Sequence, residues 1–250
     1  MNIEQIYCDY LDEINKNHER DKRVFHASGA GSCYRKQLYS YFEFPQDDLD
    51  NKSLKVLRLG TIVHSDVEKA IVKYQDDNPK KEIYIEEKIK IPELNVTGTF
   101  DYGEFKTNRE GKSTFNLYDL KTAAAYKWST MFGRKENRNI NSANNYKLQL
   151  GTYALGVKDR FDPDYLAMYL VFYNKNTSMM RERLVMNPWI DKALEYWIDL
   201  NTWLKDVGEN YFEEELVPEM TEGVPFSDWE CSYCSYNKIC PSQIANKKRR

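Results

Sequence analysis

The sequence lacks any long apolar run. No stretch approaches the roughly 18 consecutive apolar residues that a membrane-spanning helix needs, and the first residues lack the apolar core of a secretory signal peptide. These absences predict a cytoplasmic protein that does not associate with membranes.

Positive charge is not in excess either. The chain has 36 lysines and arginines against 39 aspartates and glutamates, so its formal net charge is −3. This balance does not indicate a nucleic-acid-binding protein, and any DNA contact must come from a local basic cleft. We interpret the basic run at residues 247–250 as a solvated chain end rather than a binding element.

Cysteine is scarce and odd in number. The five are Cys8, Cys33, Cys231, Cys234 and Cys240. An odd count in a reducing compartment argues against a disulfide framework and favours metal ligation. The last three fall within ten residues of sequence and form most of a four-thiolate site, whose missing ligand is Cys33 or Cys8.

Cys33 is the better placed of these two candidates. It follows a flexible turn in which we expect Ser32 to cap the next helix, and Arg35 and Lys36 beside it favour a thiolate. Closure through Cys33 would tie the two ends of the domain together. Four thiolates suit both tetrahedral zinc and an iron–sulfur cluster, although one distant cysteine joined to a group of three favours the cluster.

The distribution of apolar residues predicts the order of helices and strands. Hydrophobic residues make up 41% of the 250, enough for a sizeable core. Apolar periodicity predicts helices at residues 3–17, 38–44, 54–77, 146–159 and 188–207. Alternation predicts strands at residues 81–91, 96–105, 115–122, 165–173 and 179–186. With residues 127–145 interpreted as a mobile polar segment, this order predicts an α/β fold with a mixed central sheet.

The strand at residues 115–122 carries the first chemical signal. Its alternation places Leu117, Asp119 and Lys121 on one face, so that a carboxylate and an ammonium share the same space. That pairing suits metal-assisted hydrolysis of a phosphodiester. The same spacing at Asp50/Lys52, Glu86/Lys88, Glu104/Lys106 and Glu110/Lys112 we interpret as solvated surface.

A hairpin strengthens this interpretation. Folding the chain about Glu110 sets Asp101 directly opposite Asp119, where the two Cβ atoms would lie about 4.5–5.5 Å apart. Two carboxylates at that distance repel unless a cation lies between them, and Mg²⁺ or Mn²⁺ prefers such oxygen ligands. A register shift of one residue would turn Asp101 away.

Two predicted helices add polar candidates. On the helix at residues 54–77, His64 lies one turn after Gly60, where it can coordinate a metal, contact phosphate or simply pack. Close approach of another backbone or of a ligand would explain Gly60. On the helix at residues 146–159, Gln149 and Tyr153 share a face and can position a phosphate or a base, or be surface polarity.

Taken in order, these residues resemble the RecB-like branch of the PD-(D/E)XK nuclease superfamily. More narrowly, they resemble its iron–sulfur exonucleases, which include CRISPR-associated enzymes and AddB-type nuclease domains. The similarity rests on Cys33, Gly60-x-x-x-His64, Asp101, Asp119-x-Lys121, Gln149-x-x-x-Tyr153 and Cys231-x-x-Cys234-x5-Cys240. It extends from residue 33 to residue 240, nearly the whole chain.

The resemblance implies a fold and a site. The fold is a restriction-endonuclease-like core at about residues 54–207, with an iron–sulfur subdomain from residues 28–45 and 208–242, in one domain spanning 1–250. His64, Asp101, Asp119 and the carbonyl of Leu120 would ligate Mg²⁺ or Mn²⁺, and Lys121 would be the catalytic lysine. Gln149 and Tyr153 would position DNA, and Cys33, Cys231, Cys234 and Cys240 would hold a [4Fe–4S] cluster. Asp119 replaces the commoner glutamate.

The function expected from this resemblance is a metal-dependent DNA exonuclease that acts on single-stranded ends, in the 5′ to 3′ direction by family likeness alone. Its partners would be DNA ends and proteins of recombination or CRISPR adaptation. One alternative is an endonuclease or an end-trimming subunit for an integrase or recombination complex. Another is a DNA-binding module without catalysis.

Overall fold

The computed structural model describes residues 1–16, 21, 23–139, 141–207 and 228–240. Within them the helices are α1 (Ile3–Lys16), α2 (Tyr34–Tyr41), α3 (Asn51–Asp77), α4 (Ala125–Phe132), α5 (Asn144–Phe161) and α6 (Pro188–Val207). The strands are β1 (Phe25–His26), β2 (Glu82–Ile91), β3 (Val96–Thr107), β4 (Ser113–Ala123), β5 (Tyr165–Asn174) and β6 (Met180–Val185). In this part of the chain no helix has the length and apolarity to span a membrane.

One mixed sheet of six strands organises the molecule. The strands lie in the order β2-β3-β4-β5-β6, and the short β1 lies beside the start of β3. β1 pairs with β3 and β4 with β5 in parallel, whereas the other neighbours are antiparallel. The predicted α/β class with a mixed central sheet is confirmed.

β3 and β4 separate at one end of their hairpin. β1 pairs with β3 at Val96 and Thr97, and β4 pairs with the same edge of β3 only from Tyr102 to Thr107. The edge of β3 at residues 98–101 is therefore free of strand partners. This fork opens a space between the strands that side chains can enter.

Helices α5 and α6 cover one face of the sheet and pack closely on each other. A Cβ atom on Gly151 would lie 2.3 Å from the carbonyl oxygen of Trp189, so only glycine permits this approach. Trp197 is fully buried, and its Nε1 donates a 2.8 Å hydrogen bond to Oγ1 of Thr152. Trp197 therefore belongs to the core, whereas Trp189 is only half-buried.

Helix α3 lies on the opposite face and carries His64. It starts at an Asp50 N-cap, whose side chain accepts a 2.6 Å hydrogen bond from the Ser53 amide, and it ends before Pro79 as predicted. Tyr102 Oη lies 3.5 Å from the carbonyl oxygen of His64. This contact links the middle of α3 to the strand that forms the fork.

The segment at residues 228–240 packs against the region around α2. The Asp47 amide donates a 2.6 Å hydrogen bond to the Ser235 carbonyl, and Gln46 Nε2 donates one of 3.0 Å to Tyr236 Oη. Glu230 Oε1 lies 3.4 Å from Nζ of Lys36. The two ends of the chain are thus joined by direct protein contacts.

Several local predictions are wrong. α2 spans Tyr34–Tyr41 rather than 38–44, and its N-cap is Cys33, not Ser32, without a side-chain capping bond. The segment expected to be a mobile excursion begins as helix α4. In α1 the buried residues are Cys8 and Leu11, and most of the predicted apolar stripe is exposed.

Other predictions fall outside the described residues or are not tested. Residues 208–227 and 241–242 of the predicted cluster subdomain, and the basic run at 247–250, lie outside. The proposed division into a nuclease core and a cluster subdomain stays a prediction.

Candidate active site and metal centre

The candidate site lies at the fork between β3 and β4. The hairpin has the predicted register, since Tyr102 pairs with Tyr118 and Gly103 with Leu117. The ladder ends one step before Asp101 and Asp119 would pair, because the strands separate there. The freed Leu120 amide instead donates a 2.5 Å hydrogen bond to Oδ2 of Asp101.

Glu86 enters the site from β2. The ladder between β2 and β3 is continuous on both sides but skips the step that would pair Glu86 with Asp101, and Glu86 has a positive φ of 50°. Within the described residues, the group that could hold a metal ion is His64, Glu86 and Asp101, whose ligand atoms lie within 4.8 Å of one another. Sequence reasoning missed Glu86, although it had noted the Glu86/Lys88 spacing among the background pairs.

Asp119 and Lys121 form a buried ion pair beside this group. Lys121 Nζ lies 3.0 Å from Oδ1 and 2.9 Å from Oδ2 of Asp119, whose side chain is only 1% exposed. Burial raises the pKa of Asp119 to about 7, against the opposing effect of Lys121. Burial alone would lower the pKa of Lys121, but Asp119, Tyr153 and Asp101 together raise it above its usual range, so the amine stays protonated.

His64 completes the group from α3. Its Nδ1 lies 3.8 Å from Oδ2 of Asp101, and its side chain is partly exposed. Burial and the nearby Lys121 lower the pKa of His64. A neutral imidazole with a free ring nitrogen is the form that binds metals.

Three observations indicate that these residues suit a divalent cation. The side chain of Glu86 is exposed, yet partial desolvation and Asp101 raise its pKa to about 7, and burial raises the pKa of Asp101. Oδ2 of Asp119 is buried and accepts no hydrogen bond, although it lies close to Lys121 Nζ. A hard cation would relieve the repulsion between the carboxylates and satisfy their free lone pairs.

The structure brings together only part of the predicted set of metal ligands. His64 and Asp101 lie in the three-ligand group, but Glu86 rather than Asp119 is its third member. Asp119 is adjacent, bound to Lys121. A backbone hydrogen bond with Leu120 opposes the lowering of the His64 pKa, which puts the Leu120 carbonyl beside the group. The roles of these residues stay predictions.

Gln149 and Tyr153 form a buried pair next to the ion pair. Gln149 Nε2 donates a 2.7 Å hydrogen bond to Tyr153 Oη, and both side chains are less than a tenth exposed. A Cβ atom on Gly98 would lie 2.9 Å from the Tyr153 ring, so this glycine makes room for it. Gly60, by contrast, has ordinary space around it, and crowding by its described neighbours does not explain it.

The cysteines show a mixed result. Within the described residues no three cysteine sulfurs lie within 4.8 Å of one another. A tetrahedral zinc site needs sulfurs about 3.8 Å apart, given Zn–S bonds of about 2.3 Å. The expected thiolate at Cys33 is wrong for the metal-free protein, because burial raises the pKa of this thiol to about 12 and outweighs the neighbouring helix amides.

Known structures resemble most of the chain at low identity. A protein named SSO0001 is 17% identical, with 96% of each chain covered and a TM-score of 0.47. A candidate exonuclease from Eubacterium rectale is 15% identical over 85% of this chain and 88% of its own, with a TM-score of 0.49. An alkaline exonuclease from Laribacter hongkongensis is 10% identical over 73% and 88%, with a TM-score of 0.46.

Among curated proteins, no relative matches the sequence. The family model of the PD-(D/E)XK nuclease superfamily matches residues 64–241, from the site histidine to the residue after the last cysteine. This range includes both strands of the fork and the buried ion pair. The chain belongs to the PD-(D/E)XK nuclease superfamily.

Proposed function

We propose that this protein is a cytoplasmic, metal-dependent DNA exonuclease that hydrolyses phosphodiester bonds at single-stranded ends, in the 5′ to 3′ direction. The observation that carries the proposal is the fork. There, carboxylates from β2, β3 and β4, a histidine from α3 and a buried lysine converge. Membership of the nuclease superfamily supports the reaction class.

The residues divide into two groups. His64, Glu86 and Asp101, with the adjacent Asp119 and the Leu120 carbonyl, would hold Mg²⁺ or Mn²⁺. A divalent cation there would supply Lewis-acid stabilisation of charge on the phosphoryl oxygens. Both metals suit a set dominated by carboxylate oxygens.

Lys121 provides a fixed positive charge. Because its pKa is raised, the amine remains an ammonium at neutral pH and cannot serve as a general base. It therefore donates hydrogen bonds to the attacking water or to a phosphoryl oxygen and stabilises the charge that develops there. Asp119 holds the ammonium in position through the buried pair, and the charge-neutralised pair limits the cost of burial.

A [4Fe–4S] cluster on Cys33, Cys231, Cys234 and Cys240 belongs to the same proposal. Burial raises the pKa of Cys33 and of Cys234, and Cys240 adds a smaller rise to each, so Cys33 and Cys234 both lie near Cys240. One distant cysteine joined to a group of three within ten residues of sequence favours the cluster over a zinc site. Gln149 and Tyr153 would orient the DNA end beside Lys121, whose charge acts on Tyr153.

Incubation with Mg²⁺ or Mn²⁺ and linear single-stranded DNA labelled at either end tests the function, beside a closed single-stranded circle of the same sequence. We expect progressive shortening of the linear DNA from its 5′ end and no cutting of the circle. Rapid cutting of the circle would instead identify an endonuclease or an end-trimming subunit. Binding without any cleavage would identify a binding module.

A further inference from the structure

A row of side chains crosses the sheet from the catalytic lysine to its edge. Lys121 on β4 is directly opposite Phe172 on β5, which is directly opposite Arg181 on β6. In the row two residues earlier, Leu170 lies opposite Arg183. Directly paired residues point to the same face, so both arginines lie on the face of the sheet that bears Lys121.

Two aromatic rings each bring two ammonium groups together on this face. The ring centre of Tyr146 lies 5.4 Å from Nζ of Lys121 and 5.0 Å from Nζ of Lys127. The ring centre of Trp189 lies 4.7 Å from Nζ of Lys147 and 4.6 Å from Nζ of Lys192. Each ring thus holds lysines from two different elements.

The aromatic contacts connect these lysines with the arginines. Phe172 packs against Tyr146 at 6.1 Å and against Phe132 at 5.5 Å between ring centres. Arg181 Cζ lies 5.6 Å from the Phe132 ring and 5.8 Å from the Trp128 ring. Lys127 from α4 and Arg181 from β6 therefore lie on one connected group of aromatic rings, and Lys147 from α5 and Lys192 from α6 lie on the Trp189 ring.

The electrostatics show that these cations act on one another. Burial, together with Arg183, Lys192 and Lys127, lowers the pKa of Lys147 to about 8. Such crowding of like charge is unfavourable in isolation and is relieved by a bound anion. It is also unexpected in a chain whose net charge is −3, so the positive charge is concentrated beside the candidate site.

We propose that Lys127, Lys147, Arg181, Arg183 and Lys192, named here the cationic track, bind the phosphate backbone of a single DNA strand whose end lies at Lys121. The inference rests on the proposed nuclease function and names the path of its substrate. Ammonium and guanidinium groups supported by aromatic rings are the usual means of holding single strands without sequence preference.

A matched pair of double variants tests the track. Arg181→Gln/Lys192→Gln removes two exposed cations of the track. Lys158→Gln/Lys205→Gln removes the same charge from the far ends of α5 and α6, about 16 Å from Lys147 and about 20 Å from Lys192 along the helices. Affinity for a labelled single-stranded oligodeoxynucleotide is measured by fluorescence anisotropy in EDTA over a range of salt concentrations.

We expect the track variant to bind more weakly and to lower the slope of log affinity against log salt by about 1.4, since each phosphate contact on a single strand contributes about 0.7. The control variant should keep the wild-type slope. The cationic track would be refuted if the wild type and both double variants gave the same slope of log affinity against log salt. It would also be refuted if both double variants lost the same affinity. A loss seen only with RNA of the same sequence would overturn it in favour of an RNA path.

The binding test is independent of catalysis, because it contains no divalent metal. If the wild type cleaves DNA and the track variant binds DNA as tightly as the wild type, the cationic track is refuted and the proposed nuclease function stands. If the track variant binds DNA more weakly and the wild type cleaves no DNA in Mg²⁺ or Mn²⁺, the cationic track is supported and the proposed nuclease function is refuted.

Discussion

Glu86 and Asp101 face each other at the single step where the antiparallel ladder between β2 and β3 is interrupted. Their carboxylate oxygens lie within 4.8 Å of each other and of a ring nitrogen of His64. Glu86 also has a left-handed backbone conformation, with φ at 50°, which a residue with a side chain seldom adopts. A lost backbone pairing, backbone strain and like-charge repulsion thus coincide at one position, as is common at functional sites.

The first prediction concerns Glu86 as a metal ligand. Glu86→Gln keeps the shape of the side chain but removes the charge, so we expect the Mn²⁺ concentration for half-maximal cleavage to rise about 10–100-fold. High Mn²⁺ should restore most of the activity. Glu87→Gln is the matched control, because the Glu87 carboxylate binds Arg160 at 2.7 Å, away from the site. An unchanged metal requirement in Glu86→Gln would exclude Glu86 as a ligand.

The second prediction concerns the buried ion pair. We expect Asp101→Asn, Asp119→Asn and Lys121→Ala each to reduce cleavage by at least about 100-fold, because each removes a charge that acts on the reacting phosphate. Lys121→Ala leaves Asp119 buried without its partner and should cost about 3–5 kcal/mol of stability. Far-UV circular dichroism checks the fold. Wild-type turnover in a folded Lys121→Ala protein would contradict the proposed role.

The sequence was sufficient to predict the hairpin because a short polar turn fixes the register of both strands. Once that turn is centred near Glu110, the pairing of Tyr102 with Tyr118 follows, and the register brings Asp101 and Asp119 to the point where the two strands separate. The alternation of β4 likewise places Asp119 and Lys121 together. Local rules therefore suffice for the half of the site that one hairpin builds.

Glu86 could not be found by the same rules. Period-two alternation assumes regular strands, and the positive φ at Glu86 breaks that regularity. Phe100 and Gly103 both adjoin the Phe115 ring, although residues three apart should point to opposite faces, so β3 is irregular at the same place. The partner of Glu86 is set by tertiary contacts with β3 and α3, which no local pattern encodes.

Burial explains why the predictions for the Cys33 thiol and for the buried face of α1 differ from the structure. Arg35 and Lys36 beside Cys33 suggested a thiolate, but the sulfur lies in a buried region where desolvation outweighs the local charges. The apolar stripe of α1 suggested the buried face, yet Leu11 is the one stripe residue that is buried, together with Cys8 from outside the stripe. Sequence periodicity indicates which residues can be buried, and the packing partner decides which of them are.

The third prediction concerns the cysteines. Anaerobically purified protein should contain iron and acid-labile sulfide and absorb as a brown solution. Cys33→Ser should lose the cluster and unfold at a lower temperature, because the cluster would tie residues 228–240 to α2. Cys8→Ser is the control, since this buried thiol lies in α1 and outside the proposed ligand set. Stoichiometric zinc under iron-replete conditions, or a full cluster in Cys33→Ser, would overturn the assignment.

The last prediction concerns the stability of the metal-free protein as a function of pH. Burial and the neighbouring Asp101 raise the pKa of Glu86 from 4.5 to about 7 in the folded protein. The folded state therefore binds more protons than the unfolded state between these values, and its stability falls as pH rises through this window. Asp119, with its pKa raised by burial, acts in the same sense, whereas His64, with its pKa lowered, acts in the opposite sense.

The contribution of Glu86 is isolated by comparing the wild type with Glu86→Gln. In EDTA, the melting temperature of the wild type should fall, relative to that of Glu86→Gln, as pH is raised from 4.5 to about 7. Mn²⁺ should reverse this difference at the upper end of the window, where deprotonated carboxylates bind the metal and binding stabilises the folded state. Parallel melting curves for the two proteins across the window would show that the Glu86 carboxylate does not experience the repulsion from Asp101 on which the metal site depends.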